Sequence, residues 1–367
     1  MTSRVAGAYL LLGGFVAGIV LWATARGAST APAASWNRQA AAKYLDQREV
    51  WWQAWPRAQK DHGTVCISCH TQVPYALVRP ALRRDLGESA MSAAEKTMMD
   101  SVETRVNRWS EMVPFYSDAK NGPGKTVEAH GTEAVLNASM LASFDAGQGH
   151  LRPVTRKAFE EAWALEEPGG GWTWQNFHLG PWEGEESGYQ GAALLMVEAL
   201  NAPDGFAKEP EVRRHLDLLQ TYLKRAYAVQ PVMNRLYILW ASAKQPGLLS
   251  KDERKALLAE VSEQQQADGG WRTTDMDERD RVDHSPEPTE SDGYATGLAV
   301  LAMEEAGVSR HDTTLARGLA WLADHQQKDG TWAAVSINKQ RDPASDPGPF
   351  MKDAATAYAA LALDRQR

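Results

Sequence analysis

The chain has 367 residues, of which 43% are hydrophobic and 23% are charged, values that are ordinary for a soluble globular protein. This length allows one large domain or two to three average ones. A formal net charge of −8 and the lack of any polybasic run argue against nucleic acid as the main partner and against a basic membrane-surface patch.

The first predicted element is an apolar segment at the N-terminus, residues 5–25, preceded by the basic residue Arg4. This order is typical of an export signal, and the segment is also long enough to cross a bilayer as a helix. We predict a signal peptide or a membrane anchor over residues 1–25, with a buried core helix as the alternative. The length of the apolar run favours the anchor.

Residues 26–35 form a linker of small residues, so the predicted folded domain spans residues 36–367. Because the segment before the linker has the export pattern, we expect this domain in the periplasm. It is expected to be tethered to the inner membrane by the N-terminal helix, or released after signal cleavage.

Six helical hairpins follow, each made of an amphipathic helix and a second helix that is apolar on nearly all sides. Helices that are apolar all round are buried, so each hairpin should contribute one outer and one inner helix. The predicted inner helices are residues 73–87, 131–147, 187–200, 232–243, 291–307 and 352–363. Strand signals are almost absent. We therefore predict an all-α fold in which six hairpins close into a single α/α toroid.

The loop of the first hairpin holds the only two cysteines of the chain, Cys66 and Cys69, and His70 follows them directly. This CxxCH spacing is the attachment pattern for c-type haem, in which two thiols form thioethers and the histidine ligates the iron. Such haem is attached outside the cytoplasm, in agreement with the export pattern. We predict one covalent haem c, with His70 as the proximal iron ligand.

Other readings of the cysteine pair are weaker. A thioredoxin-like redox pair lacks the βαβ context that this motif needs. A zinc site lacks a second pair of Cys or His residues at matching spacing. A disulfide across CxxC would close a very short loop and would stabilise little.

The sequence leaves the distal iron ligand open. Thioether and imidazole groups are both suitable, and Met112 and His130 lie at loop ends of the neighbouring hairpin, so they are the candidates. If the ring closes, the CxxCH loop and the long loops of hairpins three, five and six share one mouth of the toroid. The haem is then expected at that mouth, among aromatic residues such as Trp182.

Three glycine-tryptophan turns end the outer helices of hairpins three, five and six: "GGGW" (169–172), "DGGW" (268–271) and "DGTW" (329–332). Glycine permits a positive φ beyond a helix end. Tryptophan can pack back onto its helix and join neighbouring hairpins. We predict structural roles for these tryptophans.

The turns "QQQADGGW" and "HQQKDGTW", each leading to an Ala- and Tyr-rich helix, resemble the QW repeats of the squalene–hopene cyclase and prenyltransferase β-subunit superfamily. The resemblance covers residues 160–365 and implies an α/α toroid. It does not carry the cyclase reaction, because the position of the acidic DxDD motif holds only Asp292 and Glu290. The "DMDE" run at 275–278 is interpreted as a solvated loop. Zinc chemistry of the prenyltransferase kind is not supported, because neither cysteine falls at the matching position.

Three functions stay open at this point. The first, which we predict, is electron transfer to a periplasmic or membrane redox partner. The second is a haem-dependent oxidoreductase that acts on an apolar ligand, an isoprenoid or a lipid, in the toroid cavity. The third is a ligand- or redox-sensing module. The inner-helix tyrosines either line such a cavity or fill it; they are Tyr189, Tyr237, Tyr294 and Tyr358.

Overall fold

The computed structural model describes residues 36–112, 115–117, 119–120 and 122–364, and the predicted signal or anchor at 1–25 lies outside them. Within these residues the secondary structure consists of α-helices and short 3-10 turns, with two isolated β-bridges and no strand. None of the helices in the described part of the chain is long and apolar enough to cross a membrane.

The described chain forms six consecutive helical hairpins, each with an outer helix followed by an inner one. In chain order the hairpins are α1 (Arg38–Ala54) with α2 (Gln72–Asp85), α3 (Ala93–Asn107) with α4 (Gly122–Gln148), α5 (Pro153–Ala164) with α6 (Ser187–Asn201), α7 (Pro210–Ala226) with α8 (Val232–Ser242), α9 (Lys251–Glu263) with the one-turn α10 (Thr273–Met276) and α11 (Gly293–Glu305), and α12 (Thr313–Asp324) with α13 (Phe350–Asp364). The prediction of six hairpins is confirmed.

The inner helices close into a ring. Each of them packs against the next, from α2 through α4, α6, α8 and α11 to α13, and α13 packs back against α2. Burial follows the predicted division, since every residue of α11 from Gly293 to Met303 is buried. Outer helix α7 buries only one stripe, made of Val212, His215, Leu216, Leu219 and Leu223. The predicted α/α toroid is confirmed.

One inner helix begins earlier than the sequence predicts. Helix α4 starts at Gly122 instead of residue 131. Pro123 occupies its first turn, where a missing N–H costs no hydrogen bond. The sequence predicts a helix start at Gly131, but this residue lies inside α4. A glycine is needed there because the helix passes against the backbone of Thr173 and leaves no room for a Cβ.

The three glycine-tryptophan turns repeat one hydrogen bond. The indole Nε1 groups of Trp172, Trp271 and Trp332 donate to carbonyl oxygens ten residues earlier, at 2.7, 2.7 and 2.8 Å. Each acceptor lies in the last two turns of the hairpin's own outer helix. Each tryptophan therefore fastens its turn to that helix, and the predicted structural role is confirmed.

The same turns join consecutive hairpins. In the fifth hairpin, Gln265 Nε2 donates to Thr314 O at the start of the next outer helix, at 2.8 Å. In the sixth, Asn37 N donates to Gln326 Oε1 at 2.6 Å, and Gln326 Nε2 donates to Asn37 O at 3.1 Å. Gly330, with φ +89°, lies directly on the backbone of α1. The last turn thus closes the ring onto the first hairpin.

Tyrosine side chains fill the space that the inner helices enclose. Tyr237, Tyr294 and Tyr358 are each at most 2% exposed. The hydroxyl oxygens of Tyr237 and Tyr358 lie 2.5 Å apart, although their helices α8 and α13 are not neighbours in the ring. Gln190 Nε2 donates to Tyr294 Oη at 3.1 Å. The remaining inner-helix tyrosine, Tyr189, points away from this space and donates to Leu223 O of the outer helix α7 at 2.9 Å.

A polar cavity of about 750 Å³ lies at the mouth where the inner helices end. All six inner helices contribute residues to it from their C-terminal parts, and its carboxylates include Asp85, Glu198, Glu304 and Asp364. Helix C-termini carry partial negative charge. This surrounding favours a polar occupant over an apolar isoprenoid, although Leu77, Trp240 and Leu361 also line the cavity.

Candidate functional site

Loops of different hairpins meet at the opposite mouth of the ring. Asn338 Nδ2 in the sixth hairpin donates to Gly180 O in the third, at 2.6 Å. Arg281 in the fifth hairpin donates to Ser336 O in the sixth, at 2.5 Å. The CxxCH loop lies at the same mouth, since His70 packs against Phe350 at the end of the sixth loop. The predicted common mouth of these four loops is confirmed.

The CxxCH segment is a short irregular stretch held against the preceding helix. Cys66 N donates to Ala58 O at 2.8 Å, and Trp52 Nε1 donates to Cys66 O at 2.9 Å. Thr71 N donates to Ser68 Oγ at 2.9 Å, which turns the chain into α2 directly after the motif. These contacts fix the backbone on both sides of the motif.

Cys66 and Cys69 are free thiols that line one cavity together with His70, of about 80 Å³. Burial raises the pKa of Cys66 to about 11 and the pKa of Cys69 further still. Thiol nucleophiles act as thiolates, so these neutral thiols do not favour a redox pair. No group of three or more His, Cys, Asp or Glu residues in the described chain is arranged to hold a metal ion.

His70 is neutral, and protein hydroxyl groups approach its Nδ1 more closely than its Nε2, which lies 3.5 Å from Ser68 Oγ. Its Nδ1 lies 3.0 Å from Ser68 Oγ and 2.9 Å from Thr71 Oγ1. Burial first, and then the charges of Arg48 and Arg341, lower the pKa of His70 to about 3. A neutral imidazole with Nδ1 bound to the protein is the form in which Nε2 can ligate a metal.

A second cavity of about 230 Å³ adjoins the first, and both are lined by Trp52, His70 and Glu183. Its other walls include Trp55, Trp182, Phe350 and the cation Arg341. The ring centroid of Trp182 lies 5.8 Å from that of His70. Flat apolar walls suit a porphyrin face, and a guanidinium suits carboxylates at its edge. The thiols, the imidazole and these walls therefore fit haem c.

Two charged residues of the site carry no signal in the sequence. Glu183 lines both cavities, and burial raises its pKa to about 7. Lys60 lines the first cavity, and its Nζ donates to Phe115 O at 3.3 Å. Both residues belong to irregular loops, whose position relative to the cysteines depends on the assembled ring.

The two distal-ligand candidates lie in a separate cluster. Met112 is 3% exposed and packs with Phe115, and its Sδ lies 3.7 Å from Arg105. His130 stacks on Trp109, with 4.9 Å between ring centroids. Phe115 lines the cavity of the cysteines, whereas Met112 and His130 do not. The structure does not bring the two candidates to His70, and their role as ligands stays a prediction.

The carboxylates that stand where a cyclase acid would be expected have structural partners. Asp292 caps α11, because its Oδ1 accepts from two backbone N–H groups of the first turn at 2.9 and 3.0 Å. Its Oδ2 accepts from Thr273 N at 2.6 Å. Asp275 and Asp277 pair with neighbouring arginines at 2.7 and 2.5 Å. Burial raises the pKa of Asp292 and of Asp277, but each of these carboxylates is engaged by hydrogen bonds or ion pairs of the fold.

Comparison with known proteins agrees with the architecture. Residues 191–345 match the family model of the squalene-hopene cyclase C-terminal domain. The match runs from the third inner helix into the sixth loop, covers less than half of the chain, and leaves out the CxxCH segment. No curated protein matches the chain. The match supports the resemblance to the cyclase-like toroid superfamily that the Gln-Trp turns indicate.

Proposed function

We propose that the chain is an exported c-type haem protein, in which a cyclase-like toroid holds one covalently attached haem for electron transfer. The observation that carries the proposal is the cavity lined by two free thiols and by His70, whose Nδ1 is held by the hydroxyl groups of Ser68 and Thr71. Cys66 and Cys69 would form the thioethers, and His70 would hold the iron from one side. The bound haem would supply one-electron redox chemistry.

The packing of the toroid supports electron transfer over oxidation of an apolar substrate. Tyrosines occupy the space inside the inner helices, and the large cavity at the far mouth is polar. The cavity beside His70 has aromatic walls, which would exclude water from a bound haem and would tune its potential. The chain's own residues would then bind, orient and shield the group.

The proposal includes a place in the cell and a partner. Residues 1–25 would direct the chain to the periplasm and, as an anchor, would keep it at the inner membrane. The redox partner would be a periplasmic or membrane protein that docks at the mouth holding the CxxCH loop. The aromatic cavity next to His70 lies at that mouth, so a haem held by His70 would be close to a docked partner.

An absorption experiment tests the proposal. The full chain is exported from a host that attaches c-type haem, and its pyridine haemochrome spectrum is recorded. We expect the c-type band in the parent and in Ile67→Ala, a matched change between the two cysteines, and no covalent pigment in the double variant Cys66→Ala/Cys69→Ala. A colourless parent, or a double variant that keeps covalent pigment, contradicts the proposal.

Carbon monoxide separates electron transfer from the two alternatives. A six-coordinate low-spin iron has no free position, so the reduced protein should leave its spectrum unchanged under CO. Ready CO binding would show an open position, and would favour the haem-dependent oxidoreductase or the ligand-sensing module instead.

A further inference from the structure

His70 is linked through one hydroxyl group to a buried carboxylate of the last hairpin. Its Nδ1 lies 2.9 Å from Thr71 Oγ1, and Thr71 Oγ1 donates to Asp353 Oδ2 at 2.9 Å. A threonine hydroxyl has a single proton, and here that proton is directed to the carboxylate. The oxygen of Thr71 can therefore only accept from His70, which places the imidazole proton on Nδ1.

The carboxylate at the end of this series of hydrogen bonds is buried and held in place. Asp353 is 1% exposed, and Arg48 Nε donates to both of its oxygens, at 2.8 and 3.0 Å. Tyr44 Oη donates to Asp353 Oδ1 at 2.7 Å. A buried ion pair with further donors keeps its geometry, because each group would be left unpaired by any movement.

Helix α13 also fixes the plane of the imidazole ring. Phe350 stacks on His70 with 3.8 Å between the ring centroids and 18° between the planes. Phe350 and Asp353 are three residues apart on α13, so they lie on the same side of the helix. One helix face thus contacts the ring directly and reaches Nδ1 through Thr71.

Ser68 does not decide the position of the proton. Its Oγ lies 3.0 Å from Nδ1 and 3.5 Å from Nε2 and accepts from Thr71 N, but its own proton is not directed to any carboxylate. Its hydroxyl can therefore donate to Nδ1 or accept from it. Only the link through Thr71 to Asp353 distinguishes the two tautomers of His70.

We propose that Asp353, acting through Thr71, is the positioning residue of His70: it fixes the Nδ1–H tautomer and strengthens Nε2 as an electron donor to iron. The effect on iron rests on the proposed function, whereas the tautomer is a property of the protein alone. A more strongly donating proximal histidine stabilises the oxidised iron and lowers its reduction potential.

Imidazole ¹⁵N NMR of the full chain in the haem-free variant Cys66→Ala/Cys69→Ala tests the tautomer. We expect His70 as Nδ1–H there, and a shift of the tautomer ratio toward Nε2–H by about two- to tenfold when Thr71→Val is added, since Nδ1–H then loses a neutral hydroxyl acceptor. Thr71→Ser should restore the parent ratio. A parent that is mainly Nε2–H, or an unchanged ratio in Thr71→Val, overturns the proposal.

A matched control separates this effect from the loss of any buried hydrogen bond. Thr155 Oγ1 donates to Asp145 Oδ2 at 2.6 Å, in another buried Thr–Asp pair at the far end of α4. Thr155→Val should leave the His70 signals as in the parent. If it shifts them as Thr71→Val does, the effect is general loosening and the proposal fails. Far-UV circular dichroism establishes that each variant is folded.

The reduction potential of the haem-loaded protein tests the proposed effect of Asp353 on the iron. We expect a higher potential in Thr71→Val than in the parent, in Thr71→Ser and in Thr155→Val. An equal potential in Thr71→Val and the parent overturns the effect on iron. An exported chain without haem would refute the proposed function and this effect together, whereas the NMR measurement would still decide the link from Asp353 to His70.

Discussion

Closure of the ring predicts an unusual sensitivity at Gly330. Its φ of +89° is unfavourable for any residue with a Cβ, and an added Cβ would overlap the backbone of Ala40 and Ala41 in α1. Gly307, just after α11, has a similar φ of +76° and open space around it. A comparison of alanine substitutions at Gly307 and Gly330 therefore distinguishes the cost of the backbone conformation from the cost of pushing the sixth hairpin away from the first.

The expected magnitudes follow from these two terms. Gly307→Ala should lower the free energy of unfolding by about 1–2 kcal/mol, the cost of a left-handed conformation for an L-residue. Gly330→Ala carries the same cost and an overpacking cost of about 1–3 kcal/mol, because the atoms it meets are backbone and cannot rotate away. We expect Gly330→Ala to be the more destabilising by at least about 1 kcal/mol.

Urea unfolding followed by circular dichroism at 222 nm measures both variants beside the parent. The slope of the transition should stay the same, since the surface exposed on unfolding does not change. If the two variants lose equal stability, α1 does not pack on the last turn, and the closed ring is wrong.

Three other changes test separate parts of the structure. Trp332→Phe removes the 2.8 Å bond to Leu322 O and should cost about 1–3 kcal/mol in urea unfolding, since a buried carbonyl loses its donor; no loss would contradict the structural role of this tryptophan. Burial raises the pKa of Glu49 from 4.5 to about 8, so the folded chain keeps a proton that the unfolded chain releases. Stability should therefore fall from about pH 4.5 to about pH 8, by at most ~1.4 kcal/mol per pH unit, and Glu49→Gln should reduce this slope; equal slopes in urea unfolding at several pH values would refute the assignment. If Met112 or His130 is the distal ligand, its change to Ala opens a position on the iron, and the reduced, haem-loaded variant should bind CO; no CO binding in either variant would exclude both residues as ligands.

The fold could be predicted from the sequence because its signals are local. Amphipathic and fully apolar helices alternate along the chain, and each "GW" turn marks the end of an outer helix, so hairpins and their order follow from short stretches. The start of α4 is not predictable from the sequence, because a glycine such as Gly131 can mark either a helix end or a place where a helix passes close to another segment. Only the position of Thr173 in the folded chain distinguishes them.

The candidate site was predictable only in part. Cys66, Cys69 and His70 form a contiguous motif, so their proximity needs no tertiary structure. Asp353 reaches Thr71 across 282 positions, and only because the last hairpin packs on the first. In the sequence it is one acidic residue at the start of a helix, with nothing to indicate its partner. Met112 and His130 are predicted as distal ligands because they lie at loop ends of the neighbouring hairpin. Such a position does not determine the direction of a side chain.

The contact between α13 and His70 has a consequence for the biogenesis of the protein. The chain emerges from the ribosome, and crosses a membrane if it is exported, with the CxxCH motif long before Phe350 and Asp353. Until those two residues arrive, the histidine has neither its stacking partner nor its carboxylate. An enzyme that modifies the motif would therefore meet an accessible peptide early and an enclosed one late, so the time available to it is set by how fast the last helix docks.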